Sequence, residues 1–204
     1  AQILAAFKPE GGKRVIAAES YTGVPSQTKW QLYPYALKGQ GDWMYTLGLN
    51  KFIFHVYAMQ PHPTAKPGMT MGPWGWMHSR NNTWADEEQN WLQYVQRTQY
   101  LLQKGLPLAD LVYYVGEEVP VNTPVLPFQL QPTPPAGYSY DVSDAQGIIT
   151  RMKAGNGRIV LPDGMSYRLL ILPESKVISL YLLRRIAALV RDGQYRLGGA
   201  AEVG

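Results

Sequence analysis

The chain has no cysteine and only three histidines among its 204 residues. Without thiols there is neither a disulfide framework nor a thiolate metal site, although this does not identify a compartment. His55, His62 and His78 lack the close spacing of a zinc centre, such as two His four apart on a helix. No apolar run approaches the roughly 20 residues that cross a bilayer, so no membrane partner is expected. The basic residues are dispersed, with Arg184-Arg185 the longest cluster. The net charge of +4 therefore carries no nucleic-acid footprint. No G-x-S-x-G elbow occurs, which disfavours a serine esterase. The opening AQILAAFKPEGGKR lacks the charged start and apolar stretch of a signal peptide. It reads as the last turns of a helix broken at Pro9 and Gly11-Gly12, as if the chain began inside a domain. Asn81-Asn82-Thr83 has the form of a glycosylation sequon, a triplet that arises often by chance.

What is present is a core-forming composition, 46% hydrophobic and 12% aromatic, enough to bury a substantial interior. Residues 14–18 (RVIAA) read as a buried strand bounded by Glu19-Ser20. Residues 26–49 fit one or two helices interrupted at Gly39–Gly41. Residues 51–57 read as a second strand. Thr83 is placed to cap the next helix, with Asp86, Glu87 and Glu88 in its first turns. Trp91, Tyr94, Val95, Leu101 and Leu102 recur at helical spacing before the stop at Lys104-Gly105. Residues 109–115 (ADLVYYV) read as a third buried strand. Strands alternating with helices predict parallel β/α units. Such units bind ligands beyond the carboxyl ends of their strands. Glu19, His55, Tyr57 and Glu117-Glu118 all follow strands, so one face collects the chemically capable groups.

The long excursion after the second strand is the richest segment. It carries His62, His78, Trp74, Trp76, several methionines and Asn81-Asn82. Aromatic faces with neutral hydrogen-bonding groups suit a sugar-sized ligand. Residues 119–138 hold six prolines and read as an extended linker. Beyond it, Ser143 is placed to cap a short helix to about Lys153. Residues 158–161 and 167–172 read as strands joined by the Pro162-Asp163-Gly164 turn. Residues 175–192 read as an amphipathic helix ended by Gly193. The tail GQYRLGGAAEVG offers no convincing final strand.

The strings AAESYTG, W-x-x-x-P-x-x-L-K-x-x-G-D, GLNKFIFHVYAMQP and PGMTMGPWG-x-x-x-x-RNNTW occur in that order. They resemble the C-terminal half of the catalytic barrel of family 106 glycoside hydrolases, the α-L-rhamnosidases. LPDGMSYRLLILPES looks like the flavodoxin-like domain that follows it. The resemblance implies a partial (β/α)8 barrel over residues 1–118, the linker over 119–138, and a partial flavodoxin-like α/β unit over 139–204. It implies an inverting hydrolysis of terminal rhamnosides by a bacterial enzyme, and a calcium ion near the sugar. It also implies a parent enzyme exported from the cell. The barrel half expected to carry the other catalytic carboxylate is not matched. An open half-barrel leaves strand edges exposed, which self-association into a homo-oligomer, a further chain segment or a rearrangement would close.

Glycoside hydrolysis normally uses two carboxylates. By the resemblance, Glu19 is the catalytic candidate: a base, a calcium contact or a hydroxyl-binding group. A helix-start acid or surface ion pair is the plainer alternative. Calcium wants oxygen ligands, and Glu19 with loop carbonyls could supply some. His55 and Tyr57 share side-chain parity and could meet sugar hydroxyls, against a hydrogen-bonded core role for His55. His62, Trp74, Trp76 and Asn81 complete the candidate substrate site. Trp74 and Trp76 either stack on sugar or pin the loop, and the structural role is favoured for Asn82. Asp42 is expected to organise a helix junction. The expected activity is that of a rhamnosidase-like glycoside hydrolase. The rivals are a non-catalytic carbohydrate-binding or assembly fragment and a hydrolase of another glycoside.

Overall fold

The computed structural model describes residues 14–28, 31–66, 68–72, 74, 78–117, 126–175 and 177–193. The chain divides into two compact units, residues 15–105 and 106 onward.

The first unit holds strands β1 (Ala17–Ser20) and β2 (Lys51–Phe54) and helices α1 (Pro25–Thr28), α2 (Pro34–Thr46) and α3 (Glu88–Leu102). β1 and β2 run parallel, with Ala18 opposite Phe52, Glu19 opposite Ile53 and Ser20 opposite Phe54. Side chains alternate across a strand, and burial follows that period. Ala18, Ser20 and Phe52 are buried, while Ala17, Glu19, Lys51 and Ile53 are exposed. On the buried face Tyr45 stacks on Phe52 at 4.7 Å and Phe54 on Trp91 at 5.5 Å. Tyr21 wedges edge-on against Phe52 at 5.2 Å.

β1 begins three residues later than its apolar run suggested and ends two later, where Glu19 and Ser20 complete the ladder with β2. β2 stops at Phe54, and Tyr57 makes only an isolated bridge to His78. α2 passes straight through Gly39 and Gly41. Gly41 is an approach point and not a break: a Cβ there would lie 2.5 Å from the Tyr21 hydroxyl and 3.2 Å from Phe52. Thr83 does not cap α3, which starts at Glu88 after a run of turns from Arg80 to Glu87. Asp42 does join two helices. It accepts from Tyr94 of α3 and meets Lys38 of its own helix at 2.5 Å.

The second unit centres on β3 (Leu111–Tyr114), flanked in parallel by β4 (Tyr140–Ser143) and β8 (Leu169–Ile171). All four residues of β3 are buried, as expected of a central strand covered on both faces. Val112 and Tyr114 pack with Ile148, Leu182 and Ile186. Leu111 and Tyr113 pack with Leu130 and Val142. The strand read over residues 109–115 is shorter, Leu111–Tyr114, and pairs with β4 and β8. An antiparallel meander follows: β5 (Lys153–Gly155), which the sequence did not suggest, then β6 (Arg158–Val160) and β7 (Ser166–Tyr167), joined across the expected turn at 162–164. The single strand read over 167–172 is two, because β7 ends one sheet and β8 enters another. Helix α4 (Ala145–Thr150) is capped by Asp144, whose carboxylate accepts from Gly147 N at 2.7 Å, and not by Ser143. Helix α5 (Leu180–Gly193) starts later than residue 175 and buries Leu182, Ile186 and Leu189 at helical spacing. Glu117 Oε2 accepts from Ser179 N just ahead of it at 2.8 Å. Both units are α/β with parallel strands. No helix among the described residues is long and apolar enough to cross a membrane.

Candidate functional site

Because β1 and β2 are parallel, their carboxyl ends share one edge, and Glu19 and His55 emerge there. Glu19 lies on the exposed face beside Ile53. Thr22, at the turn after β1, donates its hydroxyl to Glu19 Oε1 at 2.7 Å. That bond orients the carboxylate and leaves its second oxygen outward. His55 continues from β2, its backbone N donating to Ser20 O at 3.1 Å. Its Nδ1 is buried without a hydrogen-bond partner among the described residues. Such orphaned buried atoms are rare and call for an explanation.

The excursion after β2 is shaped by an amide clasp. Gln60, itself buried, donates Nε2 to Met69 O at 2.7 Å and accepts from Met69 N at 3.0 Å. Arg80 donates to Gln60 O at 2.8 Å and to His62 O at 3.2 Å. Asn81 Nδ2 donates to Gln60 Oε1 at 3.4 Å and to Ala65 O at 3.3 Å. Gly68, at φ +81°, makes room: a Cβ there would fall 1.9 Å from Gln60 Oε1. The candidate sugar ligand Asn81 is thus engaged in holding the loop.

His62 is exposed, and its Nδ1 accepts from Ala65 N at 3.1 Å. An accepting Nδ1 places the ring proton of the neutral imidazole on Nε2, facing out as a donor. Tyr57 is 58% and Trp74 49% exposed, so both offer ring surface. Trp76 lies outside the described residues.

The sequence named His78 only as part of the long excursion and Glu88 only as a first-turn acid, and did not pair them. His78 Nδ1 and Glu88 Oε1 stand 2.5 Å apart with both side chains largely buried. Burial pushes the Glu88 carboxyl up to about 7 and lowers the His78 imidazole. A signal for Glu88 existed: it lies in helical phase with Trp91 and Val95, the other buried residues of α3. Gln60 and Arg80 had no such signal, since their partners are loop carbonyls distant in sequence.

The chain belongs to the family 106 glycoside hydrolases: the family profile, described as alpha-L-rhamnosidase, matches residues 10–203. It is similar to a rhamnosidase structure from Novosphingobium sp. PP1Y, with a TM-score of 0.76 and 30% identity over 88% of this chain. It is 35% identical over 187 residues, 92% of its length, to a protein of Formosa agariphila named "Putative beta-glucuronidase". The chain spans 17% of the former and 15% of the latter.

Proposed function

We infer that these residues form part of the sugar site of a rhamnoside-cleaving glycoside hydrolase, with Glu19 as one of its two carboxylates. The carrying observation is the position of Glu19: at the carboxyl end of β1, on the exposed strand face, oriented by Thr22. In a (β/α)8 barrel that face would be the interior and that end the catalytic mouth. We assign residues 15–105 to such a barrel and the second unit to a flavodoxin-like domain, in which the order β4-β3-β8 would be the start of a doubly wound sheet.

In this reading the outward oxygen of Glu19 takes the proton of the attacking water or contacts a sugar hydroxyl. The partner carboxylate is supplied by the part of the relatives' length that this chain does not span. His55 turns its orphaned Nδ1 toward a sugar hydroxyl, His62 donates through Nε2–H, and Tyr57 and Trp74 cover the apolar ring faces. Trp76 and Asn81 belong to the same loop, with Asn81 acting through the clasp. Calcium takes about six to eight oxygens. Among the described residues no group of three carboxylates or histidines gathers, so Glu19 here is at most one ligand of such an ion and no step is routed through it. Self-association would pair the free edges of β1 and β2.

The name of the Formosa relative favours a second reading, a uronide. A uronate carboxylate would call for a cation at the mouth. Arg80 is committed to two loop carbonyls, and Lys51 stands at the opposite end of β2.

The test is an assay of this chain joined to the remaining barrel segment that its relatives carry, with and without Glu19→Gln, on aryl α-L-rhamnoside and aryl β-D-glucuronide, with L-rhamnose binding measured in parallel. Rhamnoside cleavage that disappears in Glu19→Gln supports the reading. Binding without cleavage supports the non-catalytic rival. Equal turnover by both proteins removes Glu19 from the chemistry.

A further inference from the structure

We propose that Tyr21 and Gly41 position the Glu19 carboxylate: Tyr21, held in a left-handed turn by a seat that Gly41 opens in α2, brings the Thr22 hydroxyl back onto Glu19. The proposal rests on the sugar-site reading for its effect on turnover, and on geometry alone for its effect on Glu19.

Glu19 and Thr22 lie three residues apart in the chain. Were β1 to continue as a strand, their side chains would point to opposite faces and stand about 10 Å apart along it. They meet instead at 2.7 Å, with the Thr22 hydroxyl donating to Glu19 Oε1. The chain must reverse between them, and Tyr21 is where it does so, with φ at +67°. A large side chain seldom takes this backbone region, because its Cβ crowds the main chain there. Glycine would make the turn without strain. Such strain persists only where the surroundings hold the residue in place, and strained residues cluster at functional sites.

Tyr21 has those surroundings. Its ring packs edge-on against Phe52 at 5.2 Å, and tilted against Phe54 at 5.8 Å and Trp91 at 5.7 Å. These neighbours belong to β2 and α3, so two elements grip one ring. The hydroxyl end reaches a third. A Cβ on Gly41 would stand 2.5 Å from that oxygen, and any side chain there would displace it. Gly41 is buried in the middle of α2, where glycine lowers helix stability relative to alanine. The room it leaves for Tyr21 is the compensation. A line of contacts therefore runs from α2 through one tyrosine to the turn, and from the turn through one hydroxyl to the carboxylate.

With Oε1 held by Thr22, the carboxylate presents Oε2 in one direction. A carboxylate that takes a proton, or meets a sugar hydroxyl, works only within a narrow range of position. Tyr21, Thr22 and Gly41 are positioning residues: none needs to touch the sugar.

The experiment uses this chain joined to the remaining barrel segment that its relatives carry, with glutamate labelled with 13C at the side-chain carboxyl. The readouts are the Glu19 carboxyl resonance, assigned with Glu19→Gln, and kcat on aryl α-L-rhamnoside per folded molecule. Thr22→Val keeps the shape but removes the donor. It should move the resonance and lower kcat by roughly tenfold to a hundredfold with KM little changed, the scale that a misplaced group produces. Thr22→Ser should keep both. Gly41→Ala should move the same resonance from within α2. Adding Tyr21→Phe, which deletes the displaced hydroxyl, should return it toward its wild-type position, a rescue that general destabilisation does not predict. Should Gly41→Ala fail to fold, Tyr21→Gly, which removes the ring while permitting the turn, should move the resonance as Thr22→Val does. A Glu19 resonance unmoved in Thr22→Val, or in the folded Gly41→Ala or Tyr21→Gly protein, would overturn the proposal. So would a double variant no nearer the wild type than Gly41→Ala. If Glu19→Gln cleaves as the wild type does, the sugar reading fails by itself while the resonances still decide the positioning.

Discussion

Gln60 pairs with the main chain of Met69 through both ends of its amide, giving Nε2–H to the carbonyl and taking the N–H on Oε1. A side chain here completes the two-point pairing that a neighbouring strand would make. None of the described residues between Gln60 and Met69 joins a strand, so the amide supplies order that secondary structure does not. Removing it leaves the part-buried N–H and carbonyl of Met69 without their side-chain partner, which costs about 0.5–1.5 kcal/mol per bond. Gln60→Ala should lower the stability of residues 15–105. Amide exchange at Met69 should accelerate before global unfolding. Gly68→Ala should reproduce the effect, because its Cβ would collide with Gln60 Oε1 and its φ is left-handed. Unchanged exchange at Met69 in both variants would show that the clasp does not hold the loop.

The two glycines of α2 predict opposite outcomes for the same substitution. A Cβ at Gly39 meets nothing within 4 Å, so Gly39→Ala should stabilise by about 0.5–1 kcal/mol through helix propensity. A Cβ at Gly41 meets the Tyr21 hydroxyl at 2.5 Å, and Tyr21 is wedged among Phe52, Phe54 and Trp91. The same gain there is opposed by an overpacking penalty of roughly 1–3 kcal/mol. Gly41→Ala should therefore be net destabilising. Thermal melts of the two variants decide the point, and equal shifts would contradict the packing.

Glu88 gives the first unit a pH-dependent stability. Burial raises its carboxyl from an ordinary 4.5 to about 7, so the folded state holds this proton more tightly than the unfolded state. The resulting stability is full below pH 4.5 and is lost as pH rises through about 7. His78 acts oppositely. Its lowered value means the folded state sheds a proton, and stability falls as pH drops below its ordinary 6.5. Burial thus favours the uncharged form of both groups. Thermal midpoints across this range should decline on the alkaline side for the wild type, and that decline should flatten in Glu88→Gln. A variant with the same alkaline slope would place the titration elsewhere.

Short-range signals determined much of this protein. Apolar runs marked β1, β2 and β3, and helical spacing marked α3 and α5, because burial imposes its period on any amphipathic element. Ordered motifs carried the resemblance to the glycosidase family that the profile match then supported. Boundaries were less legible. The acids before α3 satisfy dipole logic equally well one turn early, and the stacking of Trp91 on Phe54 is a contact that local spacing does not reveal. What the tertiary structure alone decided is pairing. The sequence cannot say that residues 111–114 pair with 140–143 and 169–171, that Gln60 clasps Met69, or that His78 meets Glu88. Each joins groups whose separation along the chain is unrelated to their distance in space, and such contacts form only once the surrounding core has brought them together.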